Sequence, residues 1–236
     1  MTMPAVVPYA REDLAAQPPS LFVQYASTVL RAPALPPIPM TQTLTETTGP
    51  CGSWDALMGA ALADLTRQHK GTPVGQRIIV AGNVLDKDRR PVPGTMIEIW
   101  QANAAGRYAH RKDDWDAPLD PNFTGAGRVV TGQDGSYRFI TIRPGAYPWG
   151  NHPNAWRPAH IHLSVMGPAF ATRLVTQMYF PDDPLIELDP IANAVPMPYR
   201  QRMVARLDMT IAETSFALGY RFDIVLRGRD ATPMEA

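Results

Sequence analysis

Cysteine is almost absent. The chain of 236 residues holds one, Cys51, so no disulfide can form within it and zinc sites built on several thiolates are excluded. Cys51 reads as a passive small residue. Charge imbalance is absent too: 22 Lys and Arg balance 22 Asp and Glu. That argues against a nucleic-acid or membrane surface as the main partner. It leaves a small anionic substrate open, since one local positive group would serve it. No apolar run approaches the ~20 residues of a membrane span. Residues 1–10 lack the charged start and apolar stretch of a signal peptide. A reducing cytoplasm is therefore the expected location. A hydrophobic content of 45% is enough for a real core.

Proline is plentiful and unevenly spread. It fills nine of the first 50 positions. The stretch Ala32 to Met40 (APALPPIPM) cannot be a regular helix, because proline lacks the N–H and clashes with the preceding turn. It reads as an extended arm, and its Leu35, Ile38 and Met40 suggest packing on something rather than a solvated linker. Trp54, Leu57, Met58, Ala61, Leu62 and Leu65 fall at helical spacing behind Ser53, which predicts a helix there.

From Gln76 onward the pattern turns to short strands between Gly, Pro and Asp turns. Strands are predicted over Arg77–Leu85, Thr95–Trp100, Arg128–Thr131, Ser136–Ile142, Ala159–Met166, Leu174–Phe180 and Tyr220–Leu226, with a short helix over Tyr199–Leu207. Gln133-Asp134-Gly135 reads as a hairpin turn. The expected fold is mainly β: an antiparallel β-sandwich over 76–236 with long loops, preceded by an extended arm and connecting segment over 1–75.

The richest segment is Asn154 to Met166 (NAWRPAHIHLSVM). Residues two apart on a strand share a face, so His160 and His162 point one way and Ile161, Leu163 and Val165 point into the core. The pair suits a zinc, copper or iron site, and equally two half-exposed histidines with no ligand. The strand carries no carboxylate, so any third ligand of that kind comes from elsewhere. Two tyrosines stand in loops held by the sheet: Tyr147 in PGAYPW and Tyr108 in WQANAAGRY. Each alone reads as a packing residue with a satisfied hydroxyl.

Taken together, in order and at family-like spacing, these tracts resemble the intradiol dioxygenases. The tracts are GRY at Tyr108, YPW at Tyr147 and WRPAHIH at Arg157, His160 and His162. TETTGP (Thr45 to Pro50), GQRIIVAGNV (Gly75 to Val84) and YRFDIVLRG (Tyr220 to Gly228) belong to the same resemblance. It covers the chain from about Tyr25 onward. The last tract resembles the β chains of the protocatechuate-cleaving group.

The resemblance implies Tyr108, Tyr147, His160 and His162 as protein ligands of a non-haem Fe(III). Phenolates are hard anionic donors that favour the ferric state, and the ion would lower the phenol pKa far below its free value of ~10. With a hydroxide also bound, the net charge is near zero, which a dry pocket tolerates. The implied reaction is cleavage of a catechol acid, 3,4-dihydroxybenzoate, by O₂ to 3-carboxy-cis,cis-muconate, a step in aromatic-compound catabolism that needs no reductase. Tyr147 is then the displaced ligand that takes a catechol proton, while Tyr108 stays bound. Arg157 would stabilise charge on the activated ring. Trp100, Trp149, Gln177 and Ile191 match pocket positions. Tyr25 is the candidate donor to the substrate carboxylate, with Arg31 beside it or serving subunit contacts.

The implied partner is a homologous α subunit, on which the apolar arm would lie. Catechol- and hydroxyquinol-cleaving relatives are an alternative, but their N-terminal region is helical, unlike this Pro-rich arm. A non-catalytic sandwich module that binds an aromatic or a protein is a second; it would leave the tyrosine and histidine set as coincidence.

Overall fold

A computed structural model describes residues 14–36, 38, 62–167 and 173–236. Cys51, the tract Thr45 to Pro50 and most of the helix expected over 54–65 lie outside them. At the edge of that region Leu65–Arg67 form a 3-10 turn capped by the Asp64 carboxylate.

Eleven strands are described: β1 (Arg77–Leu85), β2 (Met96–Trp100), β3 (Ala126–Val130), β4 (Ser136–Ile142), β5 (Tyr147–Pro148), β6 (Trp156–Arg157), β7 (His160–Met166), β8 (Arg173–Tyr179), β9 (Arg206–Leu207), β10 (Leu218–Arg221) and β11 (Ile224–Val225). Two short helices accompany them, α1 (Ala26–Arg31) in the arm and α2 (Pro190–Ala194) after β8. No helix among the described residues is long and apolar enough to cross a membrane.

One sheet is built around β1, which pairs with β4 on one side and with β10 and β11 on the other; β9 extends it beyond β10. The second sheet runs β3-β2-β7-β8. Ile78, Val80, Val84 and Phe139 of the first meet Ile97, Ile99, Ile161, Leu163 and Val165 of the second in one core, all buried. Alternation along β7 thus sends its aliphatic residues inward, as the sequence predicts. Leu65, just upstream of the strands, is part of the same core.

Four expectations change. The first sheet is mixed rather than antiparallel, since β10 and β11 run parallel to β1. The strand expected over Tyr220–Leu226 is broken, because the Asp223 carboxylate takes the Asn83 N–H (2.9 Å), displacing a backbone carbonyl from the ladder. Gly82 permits this crossing: a Cβ there would stand 1.9 Å from the Phe222 carbonyl oxygen. The turn at Gln133-Asp134-Gly135 is tight, with Gly135 at φ +71°, but it makes no hairpin. β3 pairs with β2 and β4 with β1, so the turn carries the chain from one sheet to the other. The helix expected over Tyr199–Leu207 is a 3-10 segment, Tyr199–Met203.

The described part of the arm is tied to the sandwich. Asn151 accepts the Ala26 N–H at its side-chain oxygen (2.8 Å) and donates to the Gln24 carbonyl (2.8 Å). This ties the start of α1 to the loop that follows β5.

Candidate active site

The site lies on the outer face of the second sheet and follows from its register. His162 of β7 stands opposite Trp100 of β2 and Gln177 of β8; His160 stands opposite Tyr179. Cross-strand neighbours share a face, so these side chains form one patch. The indole of Trp100 stacks on the His162 ring, with centroids 4.8 Å apart and planes within 5°. The β5–β6 ribbon pairs Tyr147 directly with Arg157 and holds both over the patch.

The two imidazoles converge. His160 Nε2 lies 3.2 Å from His162 Nε2 and 3.3 Å from the Tyr147 hydroxyl. Their Nδ1 atoms are engaged elsewhere, His160 with the Pro158 carbonyl (2.7 Å) and His162 with the Glu235 carboxylate (3.0 Å). A carbonyl or carboxylate oxygen only accepts, so Nδ1 carries the proton in both rings and each Nε2 presents a lone pair. Burial first, and then Arg157, hold the His160 pKa well below the usual imidazole range, so it takes no second proton. Two lone pairs facing each other at this distance need an electrophile between them.

Tyr108 completes the ring of donors. Its ring meets Tyr147 edge to face at 5.4 Å and lies 6.4 Å from His162. Its hydroxyl is buried with no hydrogen-bond partner among the described residues. Burial pushes both phenols up in pKa, Tyr108 strongly. Gly106, at φ +78°, lets the Tyr108 loop touch the Tyr147 loop: a Cβ there would be 2.2 Å from the Ala146 carbonyl oxygen.

A metal ion fits this set. A histidine nitrogen stands about 2 Å from a first-row metal, so two on one ion are separated by roughly 3 Å. That is the observed spacing. The orphaned Tyr108 hydroxyl is what a missing ligand bond leaves behind. Among the described residues no cluster of three His, Cys, Asp or Glu side chains competes for such an ion. The donors are two imidazoles and two phenols, a set that as phenolates suits a hard ferric ion.

Arg157 is buried at the rim. Its guanidinium donates to the Gln177 side-chain oxygen, lies 3.4 Å from the Tyr179 hydroxyl and forms an ion pair with Asp189 (3.1 Å). Burial works against its charge, and Tyr179 and Asp189 outweigh it. Gln177 is held at both ends, since its amide also donates to Glu235 (2.9 Å). The Arg157 guanidinium also lies over the Trp149 ring (5.4 Å), Trp149 meets Tyr25 (5.6 Å), and Arg31 lies over Tyr25 (5.3 Å). Ile191 is buried on α2, whose N-terminus the Asp189 side chain caps.

Every candidate site residue named from the sequence lies in this region. Three partners were not singled out. Tyr179 was findable, being two residues beyond Gln177 on β8 and so on its face. Asp189 sits before Pro190, a capping signal. Glu235 arrives from 73 positions beyond His162 with no local signal at all.

The chain matches the family model described as "Dioxygenase" over residues 49–228, and the one described as "Protocatechuate 3,4-dioxygenase beta subunit N terminal" over residues 9–43. It is 54% identical over 226 residues to a protocatechuate 3,4-dioxygenase beta chain of Burkholderia cepacia, covering 94% of this chain and 95% of that one. It is 34% identical over 161 residues to the corresponding alpha chain from the same organism, covering 67% and 76%. Among solved structures, 3-chlorocatechol 1,2-dioxygenase of Rhodococcus opacus 1CP matches with TM-score 0.53 at 25% identity, over 69% of this chain and 63% of that one. This chain belongs to the intradiol ring-cleavage dioxygenase family.

Proposed function

We propose that this chain is the iron-bearing β subunit of an enzyme that cleaves protocatechuate (3,4-dihydroxybenzoate) with O₂. The bond broken joins the two hydroxyl-bearing carbons, and the product is 3-carboxy-cis,cis-muconate. One observation carries the reading: His160 Nε2 approaches both His162 Nε2 and the Tyr147 hydroxyl within 3.3 Å, beside a Tyr108 hydroxyl buried without a partner. Tyr108, Tyr147, His160 and His162 would hold Fe(III), which when bound supplies a Lewis acid for the catechol oxygens and an electron acceptor for the ring's reaction with O₂.

The chain's own groups account for the rest. Held as a phenolate by the iron, the Tyr147 oxygen would take one catechol proton, the ribbon keeping it beside the imidazoles and Arg157. Tyr108, wedged between its loop and Tyr147, keeps its place. Arg157, held charged by Asp189, offsets negative charge on the deprotonated ring. Trp100 fixes the plane of His162. Trp149 and Ile191 wall the pocket, and Gln177 holds Arg157 toward it. Tyr25, with Arg31 over its ring, faces the substrate carboxylate.

The relatives support a heteromer. The homologous alpha chain is the proposed partner, and the arm offers it Val29, Leu30, Leu35 and Ile38, all exposed. We assign residues 1–75 to arm and connecting segment and 76–236 to the catalytic unit, with Leu65 reaching into the core. The single cysteine suits a cytoplasmic enzyme. The test is iron content and visible absorption of the purified protein. About one iron per chain and a tyrosinate-to-iron colour that changes on anaerobic addition of protocatechuate are expected; a colourless protein that takes up no iron would overturn the reading.

A further inference from the structure

Glu235 is the nearest carboxylate contact of the imidazole pair, yet it belongs to neither sheet. The segment around it is braced at several points. The Thr232 N–H donates to the Val225 carbonyl (2.9 Å) and its hydroxyl accepts from the Val225 N–H (3.0 Å). Thr176 donates to the Pro233 carbonyl (2.7 Å), the Met234 N–H donates to the Gln17 side chain in the arm (2.8 Å), and the Glu235 N–H donates to the Val175 carbonyl (2.9 Å). The backbone leading to the carboxylate is thus fixed from Thr232 to Glu235.

One oxygen of that carboxylate, Oε2, serves two donors. It takes His162 Nδ1–H (3.0 Å) and the Gln177 amide (2.9 Å). Gln177 is thereby oriented with its own oxygen toward Arg157 and Tyr179; the flipped amide would put N–H groups against a guanidinium. Glu235 therefore sits at one end of a chain that runs through Gln177 to Arg157, and at the back of the His162 ring.

We propose that Glu235 is a positioning residue of the iron site. It fixes His162 in the tautomer that leaves Nε2 free, sets the ring's tilt while Trp100 sets its plane, and makes the imidazole a stronger donor through its negative charge. A carboxylate behind a metal-bound histidine raises ligand basicity, and losing it costs about 10–100-fold in metal affinity. A stronger donor also favours the ferric over the ferrous ion. The proposal rests on His162 being a ligand.

The test compares Glu235→Gln, Glu235→Ala and His162→Ala in the iron-loaded assembly the full chain forms. Three properties are read: iron retention against a chelator, the energy of the tyrosinate-to-iron band, and the ferric/ferrous midpoint potential. Glu235→Ala should weaken iron retention about 10–100-fold. Glu235→Gln keeps an acceptor without the charge, so it should retain more iron but show a shifted band and a raised potential, which a merely structural role would not produce. Should Glu235→Ala fail to fold, Glu235→Gln decides alone. Wild-type retention, band and potential in Glu235→Gln, with iron lost in His162→Ala, would overturn this proposal and leave the ligand reading standing. Wild-type iron in His162→Ala would overturn both.

Discussion

Arg157 and Asp189 form an ion pair at 3.1 Å with side chains 4% and 0% exposed. It is a charge contact rather than an aligned hydrogen bond, since Arg157 Nε has no hydrogen-bond partner. The same carboxylate accepts the Ile191 N–H (3.2 Å) at the start of α2 and the Tyr179 hydroxyl (3.1 Å). One buried acid therefore connects the cation paired with Tyr147 to the start of α2.

Removing that acid leaves a buried guanidinium without its counter-charge. Asp189→Ala should destabilise the protein by about 3–5 kcal/mol, read by denaturant unfolding. A loss under about 1 kcal/mol, within the range of a surface pair, would show that water compensates Arg157.

Tyr108 and Tyr147 meet edge to face, and loss of the Tyr147 oxygen alone should spare iron but not proton transfer. Tyr147→Phe keeps three protein ligands, so iron should stay bound while the visible band shifts. Catechol deprotonation should slow by about 10²-fold or more, the usual size of a lost proton acceptor, as seen by stopped-flow mixing with anaerobic substrate. Unchanged colour and deprotonation rate would remove Tyr147 from the ligand set.

The loops that carry them meet at Gly106. Gly106→Ala adds a Cβ 2.2 Å from the Ala146 carbonyl oxygen at a residue with φ +78°. The left-handed conformation alone costs roughly 1–2 kcal/mol for a residue with a Cβ, and the clash adds to it by spreading the loops. Lower thermal stability together with weaker iron retention is expected. Lowered stability with wild-type iron retention would mean the loops can part without moving the tyrosines.

Much of this arrangement was legible in the sequence because β7 is a strongly alternating strand. Its period of two places His160 and His162 on one face and Ile161, Leu163 and Val165 in the core. The tyrosine loops were legible as Gly- and Pro-marked turns after strands. What was not legible depends on contacts distant in the chain. The break at Asp223 is made by Asn83, and Glu235 reaches His162 only because the segment around it is tied to β8, β11 and the arm. The parallel pairing of β10 with β1 is likewise a tertiary choice that an alternating pattern cannot express. Helix α1 lies among prolines, in ASTVLR, and was hidden by them.

Acid should loosen the β9–β10 edge. Thr210, and then Arg221, hold the Asp208 carboxyl down at about 2, below its ordinary 3.8. A carboxyl depressed in the folded protein stabilises it above the unfolded value and stops doing so as pH falls through the folded one. The contribution should be whole above about pH 4 and fade toward pH 2. Asp208→Asn should therefore lower the melting temperature at pH 5 and have little effect at pH 2; an equal effect at both would show that charge is not involved.

Oxygen uptake with product identification tests the central claim most directly. The chain, co-expressed with its homologous α chain and loaded with iron, is given protocatechuate without any reductant. One O₂ consumed per substrate, with 3-carboxy-cis,cis-muconate as product and loss of turnover in His160→Ala, is the predicted result. No uptake by the iron-loaded complex, or a product cleaved outside the two hydroxyl-bearing carbons, would contradict it.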